Sequence, residues 1–239
     1  MTKRYMISLF DYTGLMALPW AEAGYTCLCF DLQHPDGLSQ SDLHENIKFV
    51  GADLSTENSR IILGSICVGA TIELIAGFPP CTDLAVSGAG RFASKRAADP
   101  EFQEKAMELV YFVGELGESI GCPWFLENPI SVISTMWRKP DHKFHPYEYG
   151  GYLEDNDVHP MYPTVIPNRD AYPKKTCIWS GGGFIMPEKR PVEPRRDFIM
   201  KLGGRSTRTK NIRSATPRGF AQAVFESNSI GEANDTTTN

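Results

Sequence analysis

The sequence predicts an α/β fold: a mainly parallel sheet flanked by helices, with one small irregular insertion. Three observations predict it. Short apolar runs of strand length, Tyr5–Phe10, Tyr25–Phe30 and Ile72–Ala76, recur along the first third of the chain. The first run leads into a glycine-bearing turn and a helical stretch, which is how a βαβ unit opens. Acidic or thiol side chains, Asp31, Asp53, Cys81 and Glu127, stand where such runs end, and open α/β sheets bind their ligands at those ends.

Composition fits one globular unit. A chain of 239 residues, 41% hydrophobic and 22% charged, can bury a single good core with room for an appendage. No apolar run approaches membrane-spanning length and the first residues carry no signal-peptide pattern, so a cytoplasmic protein is expected, without a membrane partner. The six cysteines include no CxxC pair and read as reduced thiols. His142, His145 and His159 lack metal-ligand spacing and cysteine partners, so no metal is expected. The net charge of −5 hides an asymmetry. Between Lys174 and Arg218 twelve Lys and Arg face three acids, a net of +9 that leaves −14 for the remainder. That segment is either a basic face suited to phosphates or a solvated loop.

Taken in order, Tyr5–Phe10 is the first strand. It runs into Phe10-Asp11-Tyr12-Thr13-Gly14 and a helical stretch from Leu15 to Ala23. The turn is expected to offer backbone N–H groups to an anionic ligand group. Tyr25–Phe30 is the second strand, and Asp31 at its end is placed for ribose hydroxyls or as a helix N-cap. His34–Asn46 reads as a polar connection. Lys48–Val50 and Gly51-Ala52-Asp53-Leu54 form a third strand, its Asp53 facing an adenine amino group or merely closing a turn.

Ile72–Ala76 is the fourth strand. Gly77-Phe78-Pro79-Pro80 then forces an extended turn, because proline fixes its own φ and keeps its predecessor out of the helical region, and Cys81 is the first residue released. The following loop holds Gly88 and Gly90 for mobility and Arg91, Lys95 and Arg96 for charge. Asp99, as N-cap, and Pro100 start a helix that runs to about Ile120. Pro123–Leu126 is the fifth strand and ends in Glu127-Asn128-Pro129. If the fourth and fifth strands are neighbours, Cys81 and Glu127 face one crevice. Residues 137–173 read as an irregular insertion, Lys174–Trp179 as a return strand, and Arg218 to about Glu226 as a last helix, with a disordered tail from 229 to 239. The expected units are therefore a core over 1–136, the insertion over 137–173, and 174–228 completing the core.

Together these features resemble the cytosine-C5 DNA methyltransferase family. Phe10 to Gly14 is similar to that family's first motif, F-x-G-x-G, with Tyr12 at the middle glycine. Gly77 to Cys81 resembles its nucleophile motif, Ser87-Gly88-Ala89-Gly90 the mobile loop after it, Glu127-Asn128-Pro129 its E-N-V motif, and Thr216 to Val224 its last motif. No Q-x-R-x-R motif is found, and Lys174 and Lys175 stand where it would be. The family's large target-recognition domain has no counterpart, which leaves 137–173 and the basic segment to read DNA.

The resemblance implies a Rossmann-like methyltransferase sheet holding S-adenosyl-L-methionine against Phe10, Asp11, Gly14, Asp31, Leu32, Asp53, Leu54 and Pro79. It implies catalysis by Cys81, Glu127 and Asn128 on a flipped or single-stranded cytosine, and DNA contact by Ser87, Arg91, Lys95, Arg96, Lys174, Lys175, Arg205 and Arg208. The chemistry is methylation at C5 through a covalent thiol adduct, in a compact phage-like relative of restriction-modification enzymes. RNA, another pyrimidine, or a non-catalytic DNA-binding role on the same scaffold are the alternatives.

Overall fold

The computed structural model describes residues 3–195 and 206–229. Seven strands form one mixed sheet: β1 (Arg4–Leu9), β2 (Thr26–Gln40), β3 (Ile47–Gly51), β4 (Thr71–Gly77), β5 (Trp124–Pro129), β6 (His142–Phe144) and β7 (Thr176–Gly181). Their order is β3-β2-β1-β4-β5-β7-β6. β1 pairs in parallel with β2 and β4, and β4 with β5, while β7 lies antiparallel to both β5 and β6. The chain builds outward from β1 through β2 to β3, then crosses back to lay β4 on the other side of β1. The reversal between β1 and β4 opens a crevice at the carboxyl ends of those strands, the place where open α/β sheets bind ligands. The α/β fold expected from the sequence is the fold found.

Alternation along the strands sends side chains to two cores. One face carries Met6, Cys27, Cys29, Leu74, Ala76, Phe125 and Ile178, packed with Trp20 of α1 (Leu18–Glu22) and with Phe220 and Val224 of α7 (Arg218–Asn228). The other carries Ile7, Leu9, Leu28, Phe30, Ile75, Leu126 and Trp179, packed with Leu63 of α2 (Glu57–Cys67) and Met107, Val110 and Val113 of α4 (Phe102–Ile120). Gly117 lets α4 lie tight against the sheet: a β-carbon there would sit 2.2 Å from Trp124 Cδ1.

The structure departs from the sequence reading at several elements. β2 does not give way to a polar connection at His34. It pairs with β3 from Cys27 to Asp31, folds over its end, and then descends in register, Leu38 against Val50, Ser39 against Phe49 and Gln40 against Lys48. Since one edge of β3 is already taken by the first half of β2, this return lies along the other. Four helices, α2, α3 (Phe92–Ala98), α5 (Ile133–Met136) and α6 (Thr207–Ser214), were not anticipated; α3 and a 3₁₀ turn at Val86–Arg91 fill most of the glycine-bearing loop. α4 starts after Glu101, and Asp99 accepts from the Glu101 N–H instead of capping the helix.

The 137–173 stretch holds β6 and two 3₁₀ turns, Pro146–Tyr152 and Asn168–Asp170, and is built into the body. It contributes α5's C-cap Trp137 after α5 (Ile133–Met136), edge strand β6, and the buried rings of Phe144, Tyr149 and Tyr172. It is pinned to α7 by a buried ion cluster: Arg218 donates to both carboxylate oxygens of Asp157 at 2.6 Å and to Asp170 at 3.2 Å. No helix among the described residues is long and apolar enough to cross a membrane.

Candidate active site

β4 and β5 run side by side with Gly77 opposite Leu126. Everything that follows these residues therefore emerges at one end of the sheet. Phe78 N–H still donates to Leu9 O, and after it Pro79 and Pro80 carry the chain outward to Cys81. The Cys81 carbonyl accepts from the N–H groups of Leu84 and Ala85, which curls the next turn beneath it. Cys81 is exposed, whereas Cys27, Cys29, Cys122 and Cys177 are buried. On β5, one residue past Leu126, stands Glu127. Asn128, buried, donates from Nδ2 to the Pro79 carbonyl at 2.9 Å. This hydrogen bond spans 49 residues of sequence and fixes the Pro-Pro-Cys turn to the Glu-Asn pair.

The electrostatics of this pocket are mixed. Glu127 Oε1 is buried and has no hydrogen-bond partner among the described residues. Lys174 Nζ lies 3.8 Å from it and donates to the Arg213 carbonyl at 3.0 Å. Desolvation raises the Cys81 thiol pKa, and the Glu127 carboxylate raises it further; Lys174 and Arg213 pull it back down. A small hollow adjoins Glu127, lined by Phe78, Lys174, Thr216, Pro217 and Phe220 among others. Its far wall comes from the loop between α6 (Thr207–Ser214) and α7. Arg213 and Phe78 were not singled out from the sequence. Arg213 was one cation among twelve in a charged run, and only the fold brings α6 to this spot.

The β1 end of the crevice contains strained backbone. Phe10 has φ of +60°, a left-handed conformation that a bulky aromatic residue rarely adopts and that clusters at functional turns. The turn is held by Asp11, whose carboxylate accepts from Thr13 N–H at 3.0 Å, Gly14 N–H at 2.8 Å and Ser8 Oγ at 2.7 Å. The expectation that the turn offers its N–H groups to a ligand is corrected here: those of Thr13 and Gly14 donate to Asp11, which is buried. Gly14 is required by its φ of +69° and by Phe49, whose Cε1 would lie 3.1 Å from a β-carbon. Tyr12, at the position of the resembled motif's middle glycine, stacks at 5.7 Å on His34, which stacks at 4.2 Å on Phe49.

Asp31 follows, with Oδ1 taking the Gln33 N–H at 2.7 Å; burial raises its pKa most. Leu32 is exposed and Pro79 is buried. Asp53 is exposed and accepts from Ser55 N–H and Oγ, bonds that lower its pKa and form a turn before α2. Leu54 is buried in the same core cluster as Leu63.

The expected phosphate contacts divide. Ser87 and Arg91 are exposed on the 3₁₀ turn, and Lys175 and Arg208 are exposed beyond it. Lys95 is tied to Asp83 and to the Thr82 carbonyl, and Arg96 to Gln103 at 2.8 Å, so both already brace the loop after Cys81. Lys174 faces Glu127. Arg218, counted in the basic run, is buried in the ion cluster with Asp157 and Asp170. Arg205 lies outside the described residues. Among the described residues no cluster of His, Cys, Asp and Glu suits a metal ion.

No protein-family model matches this chain, and no curated protein does. Among solved structures, one of E. coli described as a "putative DNA modification methyltransferase encoded within prophage" is similar over 84% of this chain, at 15% identity and a TM-score of 0.42. This chain spans about half of that protein, 54% of its length.

Proposed function

We propose that this chain is an S-adenosylmethionine-dependent DNA methyltransferase acting on C5 of cytosine through a covalent adduct with Cys81. One observation carries the reading. An exposed thiol and a shielded carboxylate oxygen that accepts no hydrogen bond from the described residues stand at the mouths of adjacent parallel strands, and Asn128 locks their two loops together.

C5 of cytosine is too weak a nucleophile to be alkylated directly. Addition of the Cys81 sulfur to C6 makes C5 enamine-like and pushes charge toward N3. Glu127 is within the same crevice to share a proton with N3, and Lys174 beside it balances its charge. After alkylation the C5 proton is lost to base, the S–C6 bond breaks and the thiol is released.

The residues at the β1 end fit S-adenosylmethionine in part. Asp31 keeps Oδ2 for hydroxyl groups, Asp53 keeps one oxygen open to solvent, and Phe10 presents a half-buried ring from its strained turn. Asp11 and Leu54 do not fit. When bound, the group supplies an electrophilic methyl. The target atom is unreachable inside a duplex, so the base must leave the stack to meet Cys81.

The test is transfer of tritium from labelled S-adenosylmethionine to DNA. Cys81→Ser and Glu127→Gln are each expected to lose activity by several orders of magnitude, as loss of one member of a catalytic unit usually does. Retained transfer by Cys81→Ser removes the covalent step, and mass spectrometry of the product base identifies any other pyrimidine.

A further inference from the structure

Charge is unevenly placed around the carboxyl end of the sheet. α6 crosses that end from the Glu127 pocket to the fold-over of β2: the Arg213 carbonyl accepts from Lys174 Nζ at 3.0 Å, and Asn211 Nδ2 donates to Gln33 Oε1 at 3.2 Å. Ile212 anchors the helix in a buried cluster with Leu15 and Tyr172. Arg208, Lys210 and Arg213 are exposed, and Lys174 and Lys175 extend them into a strip of five cations, with no acid in 174–175 or 206–214. The opposite bank differs. α7 packs on one face of the sheet and α4 on the other, so α6 and the loop from Cys81 to α4 stand on opposite sides of the crevice. That loop and the first turn of α4, 82–104, hold Asp83, Asp99, Glu101 and Glu104 against Arg91, Lys95 and Arg96. Two of these cations are already engaged, Lys95 with Asp83 and Arg96 with Gln103 at 2.8 Å. At the β2 and β3 ends, 31–37 and 52–57 hold Asp31, Asp36, Asp53 and Glu57 and no Lys or Arg. Beside α6 the Tyr162 hydroxyl feels Arg208 and Tyr12, and the two tyrosines are half-buried.

We propose that the DNA taken at this site is single-stranded, its backbone lying along α6 and one unpaired base turned in to Cys81. This rests on the reading of Cys81 as a nucleophile toward DNA cytosine. A duplex brings two phosphate backbones, and a base leaving it passes between them, so opening a duplex calls for cations on both banks of the crevice. Here one bank is basic and the other carries more acids than cations. A duplex can still rest one strand on α6, but its second strand meets the acidic bank and its base stays paired. A single strand has one backbone to neutralise, which one strip does. Its bases are free to stack on open rings such as those of Tyr12 and Tyr162, and the target needs no unpairing.

The experiment measures tritium transfer, at one salt concentration, to a cytosine-bearing DNA strand without self-complementarity, to the same strand annealed to its complement, and to an RNA strand of the same sequence. The single DNA strand is expected to exceed the duplex by about tenfold or more, because no base has to be unpaired. R208Q/K210Q is expected to weaken binding of the single strand and to lower the slope of log affinity against log salt by about 1.4, at roughly 0.7 per phosphate contact. E101K/E104K places cations on the acidic bank and is expected to raise transfer to duplex by about threefold or more, with the single strand unchanged. Transfer to duplex that equals or exceeds transfer to the single strand overturns the inference and leaves the methyltransferase reading standing. An unchanged salt slope in R208Q/K210Q, or a duplex rate that E101K/E104K does not raise, overturns the one-sided charge on which it is built. Transfer to RNA alone overturns the substrate class, and transfer to none of the three overturns both readings.

Discussion

Cys81 is surrounded by charges of both signs, and each is separately removable. Desolvation and the Glu127 carboxylate hold its pKa above the ordinary thiol value, while Lys174 and Arg213 oppose them. The thiolate is the reactive form, so alkylation by iodoacetamide accelerates as pH rises through that pKa. Glu127→Gln deletes a negative neighbour and is expected to move the midpoint to lower pH; Lys174→Met deletes a positive one and is expected to move it to higher pH. Peptide mass spectrometry reads the Cys81 adduct directly, and most other thiols are buried.

His159 gives a second titration, one of stability. Its Nδ1 accepts from the N–H groups of Met161 at 3.2 Å and Tyr162 at 3.0 Å, so a proton there breaks both bonds. Burial, and then Arg218, lowers its pKa to about 4. The unfolded chain takes up the proton first, near pH 6.5, so stability is full above that pH. It falls as pH drops toward 4, by about 3 kcal/mol in all. The thermal midpoint is expected to decline over this range, and His159→Asn is expected to flatten the decline.

Among elements, α7 depends most on distant partners. Its first residue, Arg218, neutralises Asp157 and Asp170, and Asp170 also accepts the Arg218 N–H. Arg218→Met leaves two carboxylates without their cation, one of them fully buried. The expected cost is about 3–5 kcal/mol in chemical denaturation, the usual penalty for breaking a buried pair from one side. Nothing in the sequence pairs residue 218 with 157 or 170, because ion pairs made across 48 or 61 residues leave no local pattern.

Strands behaved otherwise. Tyr5–Phe10, Tyr25–Phe30 and Ile72–Ala76 are apolar because both faces of the central strands are covered, and that signature is readable locally. The return of β2 along β3 was missed because Leu38-Ser39-Gln40 is an edge segment, whose polar composition matches a loop. α2 was missed for a related reason. Only Leu63 is fully buried, so its apolar stripe is thin.

For the whole molecule, the meeting of Cys81 and Glu127 followed from two strand ends and one guess about neighbours. The Asn128 bond to Pro79 that secures it depends on three-dimensional contact alone. The β1 turn was legible as a turn but not in its wiring, since an aspartate that binds its own backbone and one that binds a ligand look alike in sequence. The acidic body with a basic segment has a consequence for affinity. Arg208, Lys210 and Arg213 of α6 are exposed. If α6 lies on phosphates, replacing the three by Gln is expected to reduce the slope of log affinity against log salt by roughly 2–3, measured by fluorescence anisotropy on duplex DNA. An unchanged slope would take α6 off the DNA.

The fold-back of β2 also bears on how copies of this chain treat one another. A bare β3 would expose a row of free amide and carbonyl groups, the template on which sheets of neighbouring molecules join. Leu38, Ser39 and Gln40 occupy that row from within the same molecule, so β3 is closed to recruits during crowded synthesis and only a short segment is left at that flank. A proline at Ser39 is expected to lift the cover and drive the protein into aggregates seen by light scattering.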